Sequence, residues 1–244
     1  VITQAREGRT PRPLDFPAGL RPRDAAEAYA VQDAVVRARG PIAGWKVGAA
    51  SPQAQTARAA LTRDSVWVAA AGEPVLLAAS GFAVMGVEAE WVYELRADLP
   101  ARATPYSAAE VLAAVVSVRA AIEVCDTRFA AWAQQGEWSR LADQACHGAL
   151  VVGTGTHDVA TAQPLAQAVT LSVNGAVAVQ HATWGNPAGD PLRLLVWLAN
   201  EGARSLGGLR AGHWVTTGSC TGTVLVAPGA EVVADFPGLG QAVL

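Results

Sequence analysis

The residues best equipped to do chemistry are few and far apart in the chain. Glu88-Ala89-Glu90 interrupts the run AVMGVEAEWVYEL, whose alternation predicts a long β-strand. Residues i and i+2 of a strand face the same side, so the two carboxylates stand roughly 6 to 7 Å apart at the backbone. Val87, Ala89 and Trp91 face the other, apolar side. Two like charges side by side in such a strand are costly unless a cation holds them; the plainer alternative is a solvent-exposed edge. Glu123 poses the same problem, enclosed by Ala120, Ala121, Ile122, Val124 and Cys125. Read as three carboxylates without a cysteine or a paired histidine beside them, the set is a hard oxygen site. It suits octahedral Mg2+ or Mn2+, with the remaining positions left to water or substrate. One cation also stands out. The 18 Lys and Arg residues are 17 arginines and a single lysine, Lys46, in GWKVG. Arg cannot replace Lys where a compact charge or a removable proton is required, so the exception invites a chemical role rather than that of a chance surface lysine.

The elements that must position these groups follow from periodicity. A helix is expected over 24–38 and a strand over IAGWKVG, with Ser51-Pro52 capping a brief helix. DSVWVA and EPVLLAA read as short strands. Ser107 and Glu110 form a capping box for SAAEVLAAVVSV, and AAIEVCDTRF follows as a strand. AAWAQQGEWSRLADQ reads as helix or loop, and GALVVGTG as a strand. Asn174-Gly175 marks a hairpin. Asp190-Pro191 opens a helix that ends at Gly207-Gly208, and strands broken by glycines, Pro228 and Pro237 complete the chain. Helices interleave with strands without a βαβ rhythm, which predicts a mixed α+β domain with a curled, partly antiparallel sheet.

Composition bounds the class. Of 244 residues, 51% are hydrophobic, which excludes a disordered chain, and a net charge of -3 offers no basic excess for nucleic acid. No apolar run approaches the roughly 18 residues that cross a bilayer. The opening VITQAREGRT carries no apolar signal region, and Cys125, Cys146 and Cys220 are dispersed without a CxxC. A cytoplasmic, reducing setting is therefore expected.

The order of blocks carries a resemblance. GWKVG (44–48), GVEAE with DLP (86–90, 98–100), AIEV (121–124), N-P-x3-P-L-x4-W-L-A-N (186–200) and TGSCTG…PG…DFPGLG (217–240) resemble the fumarylacetoacetate hydrolase superfamily. Within it, the chain is similar to the 2-keto-4-pentenoate hydratase and 2-oxo-3-hexenedioate decarboxylase group. The resemblance implies a β-roll with peripheral helices, a single hydratase/decarboxylase-type domain over 1–244 with 1–40 packed on it as an N-terminal helical segment, and a homo-oligomer. It places Glu88, Glu90 and Glu123 at the metal-ligand positions for Mg2+ or Mn2+, and Lys46 at the active-site lysine. Asp64 falls on an acidic residue near that lysine, and Ser219 on a substrate-side position. Relatives often carry Asp-Asn-Ala-Ser where this chain has Asp143-Gln144-Ala145-Cys146, a difference that bears on substrate identity.

The substrates so implied are small 2-oxo acids from the breakdown of aromatic compounds. Such an acid chelates a divalent ion through a carboxylate oxygen and the 2-oxo oxygen, and hydration and decarboxylation both use the ion to stabilise developing enolate charge. Asp64 and Lys46 are the acid–base candidates for hydration. Decarboxylation needs a pocket for a second carboxylate, for which Arg63 and Arg128 are the nearby arginines, unless both are surface groups. No His-Glu pair stands at hydrolytic spacing, and His147, His213, Cys146 and Cys220 read as structural. A hydratase is expected, with a 2-oxo-3-hexenedioate (4-oxalocrotonate) decarboxylase as the same-site alternative and a non-catalytic metal-binding partner subunit as the alternative from another class. A complex with a related decarboxylase, hydratase or aldolase is a further expectation.

Overall fold

In chain order the elements are α1 (Ala25–Arg39), β1 (Ile42–Gly48), β2 (Ala57–Thr62), β3 (Val66–Val68), β4 (Gly86–Leu95), β5 (Leu99–Pro100), α2 (Ala108–Ala113), β6 (Val115–Cys125), α3 (Glu137–Ala142), β7 (His147–Thr156), β8 (Val169–Val173), β9 (Ala176–His181), α4 (Pro191–Trp197), β10 (Gly208–Leu209), β11 (Trp214–Ser219), β12 (Val224–Leu225), β13 (Val232–Phe236) and β14 (Gly240–Val243). This computed structural model describes residues 4, 5, 8, 11–17, 19–70 and 73–244; the parts of the expected N-terminal segment at 1–3, 6–7, 9–10 and 18 lie outside the described residues.

One curled sheet organises the molecule, in the order β2-β1-β11-β4-β6-β7-β3, with β12 also on β4. β1 runs parallel to β11, and β3 parallel to β7; the other pairs are antiparallel. A second sheet, β14-β13-β8-β9, packs against one face of the first. The main core lies between them and takes the odd residues of β4 (Val87, Ala89, Trp91, Tyr93) together with Leu171, Ala234 and Phe236. The opposite face carries a smaller cluster of Leu61, Val92, Ala121, Leu150, Val152 and Trp214. The two sheets approach so closely that a side chain at Gly153 of β7 would meet the Gln241 carbonyl of β14. The architecture is the mixed α+β, curled-sheet class expected, and among the described residues no helix is long and apolar enough to cross a membrane.

Several local signals hold. Asp24 caps α1 by accepting from Glu27 N, and the Ser107–Glu110 capping box is complete. Asn174 and Gly175 turn between β8 and β9 with φ of 51° and 76°, the left-handed geometry that an Asn-Gly hairpin requires. Others are overridden by pairing. The helix expected after Ser51 is one turn, closed by Ala54 N on Ser51 O at 3.2 Å, because Ala57 onward pairs with β1. EPVLLAA forms no ladder; Pro74 lacks an N–H, and Val75 N makes a single bond to Val243 O at 3.0 Å. The helix expected through Val118 stops at Ala113. Val115, Val116 and Val118 instead join a ladder with β4, where β-branched side chains pack better.

His213, at the start of β11, is structural. Its Nδ1 accepts from Trp45 Nε1 at 3.3 Å and from Arg210 N at 3.1 Å. Burial, reinforced by the Arg210 charge, pushes it from 6.5 down to about 4. The unfolded imidazole thus takes up a proton before the folded one, so the stabilisation is fully present above pH 6.5 and is lost as pH falls toward 4. Urea denaturation across that interval should show falling stability, and His213→Gln, which keeps an acceptor without the titration, should flatten the slope.

Candidate metal and lysine site

The site occupies the sheet face turned away from the main core. Glu88 of β4 stands directly across from Glu123 of β6, and Glu90 stands across from Ala121 on one side and Ser219 on the other. Side-chain parity on β4 therefore gives apolar residues to the core and carboxylates to the opposite face. Lys46 enters from β1, where it pairs with Thr216 of β11.

Each carboxylate has distinct partners. Thr223 donates its hydroxyl to Glu88 Oε1, and Thr216 donates to Glu90 Oε2. Glu123, fully buried, lies 2.9 Å through Oε1 from His147 Nδ1. Its Oε2 lies 2.8 Å from Lys46 Nζ, an ion pair whose angle leaves that oxygen without a hydrogen bond. Beyond His147, Nε2 lies 3.0 Å from Ser65 Oγ, which donates to Thr62 O. Lys46 Nζ also donates to Ala145 O at 3.0 Å.

Electrostatics follow from this arrangement. Burial, then repulsion from Glu123, raises Glu88 and raises Glu90 further. Burial also penalises Glu123, but Lys46 and His147 outweigh it and hold that carboxyl below its ordinary range. For Lys46, burial disfavours the ammonium, yet Glu123 foremost among the neighbouring acids keeps it charged.

The lysine's second partner comes from strained backbone. Gln144, Ala145 and Cys146 have φ of 54°, 50° and 63°, three successive non-glycine residues in the left-handed region. Each costs on the order of 1 to 2 kcal/mol. Arg128, 1% exposed, locks the segment: it ion-pairs with Asp143 and donates to the carbonyls of Asp143 and His147. Gln144 Nε2 adds a bond to Gln32 O at 3.3 Å. The result is a carbonyl aimed at Lys46. Arg128 is thus a buried structural residue, neither a surface group nor a lining for substrate.

The structure does not bring Asp64 to this cluster. Its side chain is 55% exposed and pairs with Arg39, while Thr62 Oγ1 donates to it at 2.5 Å. The neighbouring Ser65 is the one directed inward, toward His147. Ser219 is on the site's strand, opposite Glu90, with its Oγ accepting from Thr221 N at 3.3 Å. Sequence reasoning set His147 aside as structural and missed Thr216, Thr223 and Cys125. One donor atom each from Glu88, Glu123 and Cys125 lie within 4.8 Å of one another, so the assumption of carboxylates without cysteine or histidine is corrected. A divalent cation fits these residues: carboxylates in register on adjacent strands, a buried oxygen without a hydrogen bond, and mutual repulsion that a cation would relieve.

Beside Lys46 lies a cavity of about 300 Å³ lined by Gly48, Ala49, Ala50, Gln55, Ala57 and Ala145. Arg58 also borders it, but its guanidinium is 2.8 Å from Asp33 and bonded to Gln32 and Ser205.

Residues 39–243 match the model of the fumarylacetoacetate (FAA) hydrolase C-terminal family. The chain belongs to that family. Within the family, it is 32% identical over 248 residues to a 2-keto-4-pentenoate hydratase of Burkholderia vietnamiensis, covering 96% of this chain and 90% of that one. It is 31% identical over 184 residues to a 4-oxalocrotonate decarboxylase of a Pseudomonas species, covering 74% of this chain and 66% of the other. The fold is similar to that of 4-oxalocrotonate decarboxylase from Pseudomonas putida G7 complexed with magnesium and adipate, with a TM-score of 0.80 and 24% identity over 99% of this chain and 95% of that one.

Breaking the lock beneath the site should be expensive. Arg128→Met leaves the Asp143 carboxylate buried without its partner, and is expected to lower unfolding free energy by about 3 to 5 kcal/mol in denaturant titrations.

Proposed function

We propose that the protein is a divalent-metal-dependent hydro-lyase that adds water to a short unsaturated 2-oxo acid of the 2-keto-4-pentenoate type. The observation that carries this reading is the cavity at Lys46. Its lining is mostly alanine and glycine, and one of its lining residues, Lys46, is the ion-pair partner of Glu123 in the buried carboxylate cluster. A short, uncharged tail suits that space. Lys46 and Arg58 are its charged lining residues, and Arg58 is neutralised by Asp33. A dicarboxylate would place its second charge without a partner there, which favours hydratase over decarboxylase chemistry. The 32% identity to a named hydratase over nearly the whole chain supports the same choice.

Glu88, Glu90 and Glu123 would hold Mg2+ or Mn2+, which when bound supplies Lewis acidity to the carboxylate and 2-oxo oxygens of the substrate. Lys46 is 17% exposed and reachable from the cavity. Kept as an ammonium by Glu123, it acts as a fixed positive partner for negative charge developing on the substrate, and not as a base. Asp64, held by Arg39 away from the cluster, has no part in this step. His147 and the Thr216 and Thr223 hydroxyls orient the carboxylates, the supporting role such groups play around metal ligands.

Purified protein with Mg2+ should consume 2-hydroxypenta-2,4-dienoate, seen as loss of dienol absorbance, without releasing CO2. Release of CO2 from a hexenedioate analogue, with no turnover of the dienoate, would replace this reading with the decarboxylase one. If neither is consumed while Mg2+ still raises Tm, a binding-only role gains. Glu123→Gln should remove Mn2+ binding in calorimetry; unchanged affinity would sink the carboxylate site. Lys46→Arg keeps the charge but not the compact geometry between Glu123 and Ala145, and should lower turnover by roughly 100-fold or more, with Mn2+ affinity as the control.

A further inference from the structure

Asp64 stands outside the carboxylate cluster, yet the turn that carries it reaches the cluster through its last residue. Arg63–Ser65 is one tight turn between β2 and β3. Its outer side is tied to the end of α1: Asp64 ion-pairs with Arg39, Thr62 Oγ1 donates to Asp64 at 2.5 Å, and Arg63 N donates to Pro41 O at 3.0 Å. Its inner side is Ser65, which is 3% exposed. Because β3 and β7 run parallel, the residue that enters β3 comes beside His147, the residue that opens β7. Ser65 Oγ meets His147 Nε2 at 3.0 Å, and Nδ1 of the same ring meets Glu123 Oε1 at 2.9 Å. An imidazole held at both nitrogens can neither flip nor swing without losing a contact.

We infer that Ser65 is a positioning residue for this centre: through His147 it fixes the Glu123 carboxylate, and the Arg39–Asp64 clamp on the outer side of the same turn fixes Ser65. The inference rests on the reading that Glu123 holds a divalent ion. Lys46 faces Oε2 of Glu123 at 2.8 Å, so the contact at Oε1 sets the other half of that carboxylate's orientation. Without the Ser65 hydroxyl the ring is free to turn about its bond to Cβ, and Nδ1 no longer restrains Oε1. A ligand released in this way must be ordered at the moment an ion binds, which lowers affinity. Among the described residues Ser65 bonds to Thr62 O and His147 and not to Glu123, so its action passes through the ring. Asp64 thereby gains a role without approaching the lysine.

Metal affinity separates positioning from simple support of the fold. Calorimetric titration with Mn2+, alongside the Tm of the metal-free protein, should show Ser65→Ala weakening Mn2+ binding by roughly tenfold or more. Ser65→Thr, which keeps the hydroxyl, should restore it. Asp64→Ala, at a side chain 55% exposed, should weaken Mn2+ binding in the same direction by a smaller factor, because Ser65 is still present but less firmly held. Wild-type Mn2+ affinity in Ser65→Ala, even with a lowered Tm, would reduce Ser65 to a structural residue and overturn the inference; loss of binding in Glu123→Gln would then leave the carboxylate site standing. Should Ser65→Ala fail to fold, unchanged affinity in Asp64→Ala overturns it instead. Absence of any Mn2+ binding to the wild type would overturn both the inference and the carboxylate site.

Discussion

The ion pair between Lys46 and Glu123 is the contact on which the site depends. A carboxylate fully enclosed by a sheet costs several kcal/mol in lost hydration, and Glu123 has two more acids beside it. The lysine meets it at 2.8 Å and is itself buried enough that Glu123 determines its charge. Neither group would be tolerable alone, and together they leave Glu88 and Glu90 as the acids whose repulsion is unrelieved. The cluster is thus stable as a folded object while still short of positive charge. That residual imbalance is what a cation bound there would relieve.

The fold separates stability from chemistry by strand parity. Odd residues of β4 fill the space against the second sheet, and even residues carry Glu88 and Glu90 to the other side. Because the main core needs nothing from the site face, polar groups can accumulate there without weakening the sheet pairing. The smaller cluster around Val92, Ala121 and Leu150 shares the site face and limits how far the polar region spreads. Hydroxyls from β11 and the following turn, Thr216 and Thr223, complete the carboxylate shell from a strand distant in sequence.

Much of this was legible in the sequence, and the limits have physical causes. Periodicity announced β4, and the incongruity of charge in apolar strands singled out Glu88, Glu90 and Glu123. Their meeting could not be read locally, since the register of β4 on β6 is fixed by the whole ladder. Lys46 stood out by rarity, but its partner Ala145 is a backbone atom and leaves no trace in residue type. Asp64 was attractive as an acid near a lysine; a tight turn after β2 sends it outward and Ser65 inward. His147 was read as structural because a histidine beside glycine has no pattern that points to Glu123, and Cys125 was missed because a thiol in a strand resembles any small apolar residue. The helices expected at 52–56 and beyond Ala113 lost to strand pairing, a long-range effect that local caps do not register.

The left-handed run at Gln144, Ala145 and Cys146 has a consequence for how such a site can vary. The contact to Lys46 is made by a peptide oxygen, so it is inherited with the path of the chain rather than with a side chain. Position 145 can therefore change its residue and keep its chemistry, while the burden of preservation falls on Arg128 and Asp143, which form no ion pair or hydrogen bond with the lysine. Two proteins could share this feature with different letters at the contact, and lose it with the contact letter intact.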